Sequence, residues 1–447
     1  MIEKTYWNHE VETRSLEDQA AMDTKALKKQ LDYVYGKSSF YRALFDEAGI
    51  TPEHFKSIKD LQNFPFTTKD DLRKTQEEDG GLGGHRCAPM EKIIRVQGTS
   101  GTTGRPLYIG LTRNDVALWN ELFARHAWTG GLRPSDILIN PANFTLFVGG
   151  LSECSGAENM GITVIPAPFV STGTDKFMEI IKTFKPTVLF STPSATVFLE
   201  DAVRKILQVE PSELGFKKGF LAGEALSEDE RGRIEKTWGI VARNFYGLAD
   251  VAADIAAECG QSKGLHFCGQ DALVAELIDP ETLEPVPMET GAEGEIVFTT
   301  VNREATPVIR YRVRDLVRVY TDPCACGRTG FRFHIIGRSD DMIKVKGVNV
   351  FPAAVKGVIQ SFAPDTTGEF RIVLPHEGPS FGENLTIKVE GAKHLEPQAL
   401  EALGEKLRKA IREKLVFTPR IEWIAAGSLE RSQYKVEYFE KAYQKKG

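Results

Sequence analysis

The sequence predicts an α/β protein. A large N-terminal part combines mixed and parallel sheet with helices on its faces and includes a β-rich subdomain; a small α+β domain follows. Three observations carry that expectation. From about Asp136 to Ala242 short apolar runs alternate with helical periods, the pattern of parallel strands joined by crossover helices. After about residue 270 the texture turns to β-branched and aromatic runs without long helices between them. Beyond the polar break Gly337-Arg338-Ser339-Asp340-Asp341, a tail of roughly 105 residues carries its own apolar pattern, enough for a separate domain.

Each element has a local reason. In the first ninety residues Leu27, Leu31 and Val34 fall at i, i+4, i+7, and Tyr41, Leu44 and Phe45 at i, i+3, i+4, two apolar helical stripes. Thr68 with Asp71 predicts a capped helix start after Phe64-Pro65-Phe66. Ile137-Leu138-Ile139, Thr163-Val164-Ile165 and Thr187-Val188-Leu189-Phe190 read as strands, with helices over 175–184 and from Pro193. Phe220-Leu221 leads into Ala222-Gly223-Glu224-Ala225, Ser227 with Glu230 caps a helix to Trp238, and Ile240-Val241-Ala242 begins the next strand. Strands follow over 273–278, 294–300 and 309–320. In the tail a helix starts at Phe351-Pro352, strands lie near 370–374, 385–389 and 420–424, and a long helix runs from about Pro397 to Leu415.

Composition removes several function classes. Of 447 residues, 41% are hydrophobic and 26% charged, as in an ordinary globular protein. A net charge of −6 argues against a nucleic-acid surface. No apolar stretch approaches the length of a membrane span, and Met1 to Trp7 lacks the apolar core of a secretory leader, so a cytoplasmic location is the expectation. Six cysteines in so long a chain do not make a disulfide scaffold.

The stretch richest in chemistry is Gln97 to Pro106, Q-G-T-S-G-T-T-G-R-P, directly after the strand-like Ile93-Ile94-Arg95-Val96. Glycines let backbone approach a ligand, and hydroxyls and free N–H groups donate to phosphate oxygens. Arg105 adds a permanent positive charge. The spacing is that of neither a Walker A loop nor a G-x-G-x-x-G turn. In parallel sheets ligands gather at the carboxyl ends of strands, so this loop and the strand-end loops are expected to converge.

Eight segments in order resemble the adenylate-forming superfamily, and in particular phenylacetate–coenzyme A ligases. They are the loop 97–106, Leu146-Phe147-Val148-Gly149-Gly150-Leu151, Ala222-Gly223-Glu224, Tyr246-Gly247-Leu248-Ala249-Asp250, Tyr311-Arg312-Val313-Arg314-Asp315, the hinge 337–341, Lys346 to Pro352, and Leu429 to Lys435. The resemblance implies an N-terminal domain over 1–337 that binds nucleotide and acid, a hinge at 338–340 and a mobile C-terminal domain over 341–447. It also implies the chemistry: a carboxylate attacks the α-phosphate of ATP, giving an acyl-adenylate and pyrophosphate, and the thiol of coenzyme A then displaces AMP as a thioester forms. Such an enzyme mainly positions the groups and neutralises growing charge.

On that resemblance Thr99, Ser100, Gly101, Thr102, Thr103, Gly104 and Arg105 hold the ATP phosphates, and Lys435 is the catalytic cation bridging carboxylate and α-phosphate. Gly223, Glu224, Ala225, Asn244, Phe245, Tyr246 and Gly247 line the AMP site; Asp315 takes the ribose hydroxyls and Arg338 a ribose or phosphate contact. Asp340 is the hinge and Gly347 lies on the coenzyme A tunnel. Asn143, Phe144, Phe147, Gly149 and Ala222 form the acid pocket, whose flat apolar character suits an aryl or arylacetic acid. Two departures stand out. Asp250 occupies the place of the family's magnesium-binding glutamate and reaches about 1.5 Å less far, with Ala249 in place of a hydroxyl residue. Gln433-Tyr434 precedes Lys435 where small residues are expected.

Cys259, His266, Cys324 and Cys326 make a Cys₃His set that fits structural zinc, with Cys268 as a spare. Reduced thiols beside a β-turn are the alternative. His126, His334, His376 and His394 have no partner spacing and read as packed or solvated imidazoles. Family members are often dimers, which makes a homodimer an expectation of the resemblance. Two other functions stay open at this level: loading of a carrier-protein thiol, and nucleotide binding without turnover.

Overall fold

The computed structural model describes residues 5–99, 106–261, 264–393, 395–429 and 437–444. The chain divides into two compact units, Met1–Glu224 with Ile234–His334, and Ala225–Arg233 with Ile335–Gly447.

The larger unit opens with helices α1 (His9–Glu12), α2 (Leu16–Lys37), α3 (Ser39–Glu47) and α4 (Lys69–Asp79). The expected stripes are its core: Leu27, Leu31, Val34, Tyr41 and Phe45 are fully buried in one cluster with Ile309. Thr68 caps α4 reciprocally with Asp71. Strands β1 (Ile93–Gly98) and β2 (Tyr108–Thr112) then pair antiparallel about the 97–106 loop, and α5 (Arg113–Thr129) follows from a Thr112–Asp115 capping box. β2 and α5 lie outside the expected elements. The last half of α5 is buried almost all round, so it lacks the one-sided periodicity that marks a surface helix.

An alternating series comes next: β3 (Ile137–Asn140), α6 (Val148–Asn159), β4 (Thr163–Pro166), α7 (Phe169–Thr172), α8 (Thr174–Phe184), β5 (Val188–Ser191), α9 (Pro193–Ala202), β6 (Lys218–Ala222), α10 (Glu228–Trp238) and β7 (Val241–Leu248). The strands β4-β3-β5-β6-β7 pair parallel in that order, as the alternation requires. Beyond β7 the sheet continues through β8 (Ala252–Glu258), β9 (Leu265–Phe267), β10 (Leu273–Ile278), β11 (Glu293–Thr300), β12 (Tyr311–Tyr320) and β13 (Arg332–Arg338). The order is β10-β11-β12-β13-β9-β8-β7-β6-β5-β3-β4, eleven strands among the described residues, with antiparallel pairing of β7 with β8, β8 with β9, β9 with β13, β11 with β12 and β10 with β11. Strand β8 is buried at every position, which hides the alternation that would mark it in the sequence.

The smaller unit has its own core of Ile343, Val345, Val350, Val355, Ile359, Phe370, Ile372, Ile387, Val389, Leu407 and Ile411. Strands β14 (Ile343–Val345) and β15 (Val348–Val350) form a hairpin; α11 (Pro352–Gln360), β16 (Thr366–Leu374), β17 (Ser380–Phe381), β18 (Thr386–Gly391), α12 (Pro397–Leu415), β19 (Arg420–Ile424) and β20 (Phe439–Lys441) complete an α+β layer. The expected tail elements are all present; the hairpin is additional.

Candidate active site

The base of the 97–106 loop is tied to the segment expected to hold the acid. Gly98 N–H donates to Leu146 O at 2.7 Å, and Gly98 bridges Phe147 in strand fashion. Thr99 closes the mouth of the loop: its N–H donates to Leu107 O at 3.0 Å, and Leu107 N–H donates to its Oγ1 at 3.1 Å. Its hydroxyl is therefore engaged within the hairpin, with its oxygen as acceptor. Ser100 to Arg105 lie outside the described residues.

The acid segment runs from the end of β3 into α6. Buried Asn140 shapes it, donating through Nδ2 to Gly149 O at 3.0 Å and Gly150 O at 3.3 Å and accepting Ala142 N–H at 2.9 Å. Gly150 is forced by backbone, because a Cβ there would stand 2.4 Å from Asn143 O. Phe147 lies over Gly149, and Asn143, Phe144, Phe147, Gly149 and Ala222 are all half-buried. Helix α6 reaches β1 as well, where Ser152 Oγ donates to Gln97 Oε1 at 3.1 Å.

At the carboxyl ends of β5, β6 and β7 lie the expected nucleotide residues. After Gly223, whose φ of +80° favours glycine, Glu224 accepts Ser194 Oγ at 2.5 Å and Ser194 N–H at 3.1 Å, fixing the loop to the start of α9. Ala225 is exposed and belongs to the smaller unit. Asn244 is held by its backbone to Glu258 at 2.8 Å. The ring of Phe245 is committed to the core, edge-on to His126 at 4.3 Å and tilted on Phe220 at 4.5 Å, so only its backbone is offered to a ligand. Gly247 admits no side chain, since a Cβ would lie 1.6 Å from Ala253 O.

Two tyrosine–carboxylate pairs organise the site's other side. Tyr246 OH donates to Asp315 Oδ2 at 2.6 Å, and Tyr311 OH donates to Asp250 Oδ2 at 2.6 Å. Arg312 and Arg314 pair with Glu295, at 2.8 and 3.9 Å. Burial first, and then the Asp250 charge, push the Tyr311 phenol well above its usual range, so it remains a donor. Lys69 Nζ stands 3.6 Å from the same oxygen of Asp250. The partners Tyr311 and Lys69 were not expected, because each lies more than sixty residues from or on a different element than Asp250 and no local spacing connects them.

In the smaller unit Arg338 meets Asp340 with two hydrogen bonds of 2.9 Å and Asp341 at 3.9 Å. Lys346 and Gly347, with φ of +51° and +83°, are the two turn residues of the β14–β15 hairpin, a geometry that wants glycine. Lys435 lies outside the described residues.

The four expected metal ligands converge. Cys259 follows β8, His266 lies on β9, and Cys324 and Cys326 sit in the turn between β12 and β13; their ligand atoms all lie within 4.8 Å of one another. Cys259 and Cys324 sulfurs are 3.9 Å apart, and Cys326 Sγ is 3.4 Å from His266 Nε2. Tetrahedral zinc requires about 3.8 Å and about 3.6 Å for such pairs. Nδ1 of His266 is buried without a hydrogen-bond partner among the described residues. Cys268 donates instead to His266 O and is not in the set.

The AMP-binding enzyme family model matches residues 37–302, and that of the AMP-binding enzyme C-terminal domain matches 347–440. The chain is 34% identical over 440 residues to a phenylacetate-coenzyme A ligase of Thermus thermophilus, covering 95% of this chain and 96% of that one. It is 33% identical over 434 residues to a phenylacetate-coenzyme A ligase of Escherichia coli, covering 95% of each. A crystal structure of 2-hydroxyisobutyryl-CoA ligase with 2-HIB-AMP is 27% identical, with a TM-score of 0.90, covering 99% of this chain and 94% of that one.

Proposed function

The chain belongs to the AMP-binding enzyme family, and from that premise we propose that it activates an aromatic carboxylic acid with ATP and passes the acyl group to coenzyme A, releasing AMP and pyrophosphate. The observation that supports this most directly is the hydrogen bond from Gly98 to Leu146, which joins the start of the phosphate loop to the acid segment. In-line attack requires carboxylate and α-phosphate to be held side by side. The likeness to phenylacetate-coenzyme A ligases supports an aryl or arylacetic acid.

In the first step a carboxylate oxygen bonds to the α-phosphorus as the bond to the β-phosphate oxygen breaks. Residues 99–105 hold the departing phosphates and Lys435 neutralises charge at the α-phosphate. Asp315, oriented by Tyr246, accepts from the ribose hydroxyls. Magnesium neutralises the triphosphate when bound. Asp250 would hold it through Oδ1, since Tyr311 and Lys69 already use Oδ2. Zinc fits the Cys₃His set as a structural ion, four protein ligands leaving no open position. In the second step the coenzyme A sulfur attacks the carbonyl carbon, AMP leaves, and the smaller domain turns about 338–340 between the steps.

Among the described residues no helix is long and apolar enough to cross a membrane. ATP–pyrophosphate exchange driven by a panel of aryl acids, with and without coenzyme A, tests the assignment. Acid-dependent exchange and a coenzyme A thioester are expected; exchange without thioester points to a carrier-protein thiol, and AMP binding without exchange to a binding protein. Lys435→Ala is expected to lower adenylation by about 100- to 1000-fold and to spare thioester formation from supplied acyl-adenylate.

A further inference from the structure

Around the acid segment, four buried side chains keep polar atoms without a hydrogen-bond partner among the described residues: Glu153 Oε2, both carboxyl oxygens of Asp254, His126 Nδ1 and Gln97 Nε2. Glu153 is 3% exposed and the other three 1% each. Buried polar atoms are nearly always paired in native proteins, so such a concentration asks for a partner.

Their placement is specific. Glu153 stands three and four residues after Gly150 and Gly149 on α6, on the helix face that those glycines open. Asp254 follows Ala253, whose carbonyl abuts Gly247. His126 Nε2 donates to Ala256 O at 2.9 Å, while its Nδ1 stands 2.9 Å from Asp254 Oδ1, close but off the line of a hydrogen bond. Gln97 meets α6 through Ser152. These polar atoms thus belong to α6, which the acid segment enters, to the end of β1, which is bonded to that segment, and to the middle of β8 and α5 beside α6.

The two carboxyl groups also face one another. Burial first, and then the facing Asp254 charge, drive the Glu153 carboxyl well above the usual carboxylate range. The other titratable groups facing it are His126 of α5, through Asp254, and the Cys154 thiol of α6, which burial pushes up to about 12. A protonated Glu153 keeps its carbonyl oxygen, and Asp254 its carboxyl oxygens, as acceptors with no protein donor among the described residues.

We propose that Glu153 and Asp254 are specificity-determining residues, and that the acid this site takes carries a hydroxyl or amino group, remote from its carboxylate, that donates to them. The proposal rests on the acid-activating reading of the site and narrows it from aromatic acids in general to donor-bearing ones. A site built to hydrogen-bond a substrate group discriminates steeply against the analogue that lacks it, because its own buried groups are then left unpaired.

The test uses the full-length wild-type chain in ATP–pyrophosphate exchange. Benzoate and phenylacetate are each compared with their hydroxy, amino and methyl derivatives, the methyl acids controlling for size. The best donor-bearing acid is expected to exceed its parent and its methyl analogue by about 100-fold or more in kcat/KM, and Glu153→Gln and Asp254→Asn to narrow that preference to about tenfold or less. Parent acids turned over as well as their derivatives would overturn the proposal while leaving the acid-activating reading intact. So would variants that lose rate on parent and derivative alike with the preference unchanged, the mark of a merely structural role. Exchange with no acid at all overturns the reading of the site itself, and is told apart by its indifference to the substituent.

Discussion

Strand β8 serves two buried polar clusters of opposite character. Asp254, in its middle, meets Glu153 and His126; Cys259, just past its end, meets His266, Cys324 and Cys326. In the second cluster the ligand atoms stand at the spacing of a tetrahedral ion, and the donor set is the one zinc favours. The first offers oxygens and one ring nitrogen, and its members do not close around a common point as the cysteine set does. On the readings proposed above, one would be completed by something that stays, the other by something that arrives and leaves. Stability should depend on the former and selectivity on the latter.

That contrast can be broken at several points. The largest expected effect is on the thiolate cluster. Protein purified without chelator should contain stoichiometric zinc, and a strong chelator or Cys324→Ser should lower the melting temperature by about 10 °C or more, the shift expected when several kcal/mol of metal-linked folding energy are lost. Absence of zinc from the purified protein would remove the distinction. A smaller effect is expected at Tyr246. Tyr246→Phe removes a hydrogen bond to the Asp315 carboxylate, worth about 1.5–3 kcal/mol, and should raise KM for ATP roughly tenfold or more while the order of preferred acids is unchanged.

The smallest effect has a defined sign. The raised affinity of folded Glu153 for its proton contributes stability at low pH, and that contribution declines as pH rises from the ordinary carboxylate range toward the folded value. Glu153→Gln cannot ionise, so its stability relative to wild type should climb with pH by at most about 1.4 kcal/mol per unit. Denaturant melts at pH 5, 7 and 9 check this, and a difference that stays flat or reverses argues against a proton held by folded Glu153.

Sequence reasoning reached the parts of the molecule whose signals are local. The parallel strands β3 to β7 announce themselves by their alternation with helices, and the caps at Thr68 and Ser227 by residues three apart. The cysteine set is visible because its ligand types are rare and two of them nearly adjoin. By contrast Glu153 and Asp254 are separated by about a hundred residues, and His126, read in the sequence as a packed or solvated imidazole, is packed and also faces a buried carboxylate at 2.9 Å. Tyr311 and Lys69 reach Asp250 only through tertiary packing. Phe245 shows the converse: its place in a nucleotide motif is legible, while the burial of its ring against His126 and Phe220 is set by the fold.

The 2.7 Å contact from Gly98 to Leu146 carries a consequence for how the two substrates sense one another. The chain proposed to wrap the acid and the chain proposed to start the triphosphate grip share one backbone seam, so on that proposal widening the first pulls on the second. An oversized acid should then be penalised twice, once by its own poor fit and again by a weakened hold on ATP.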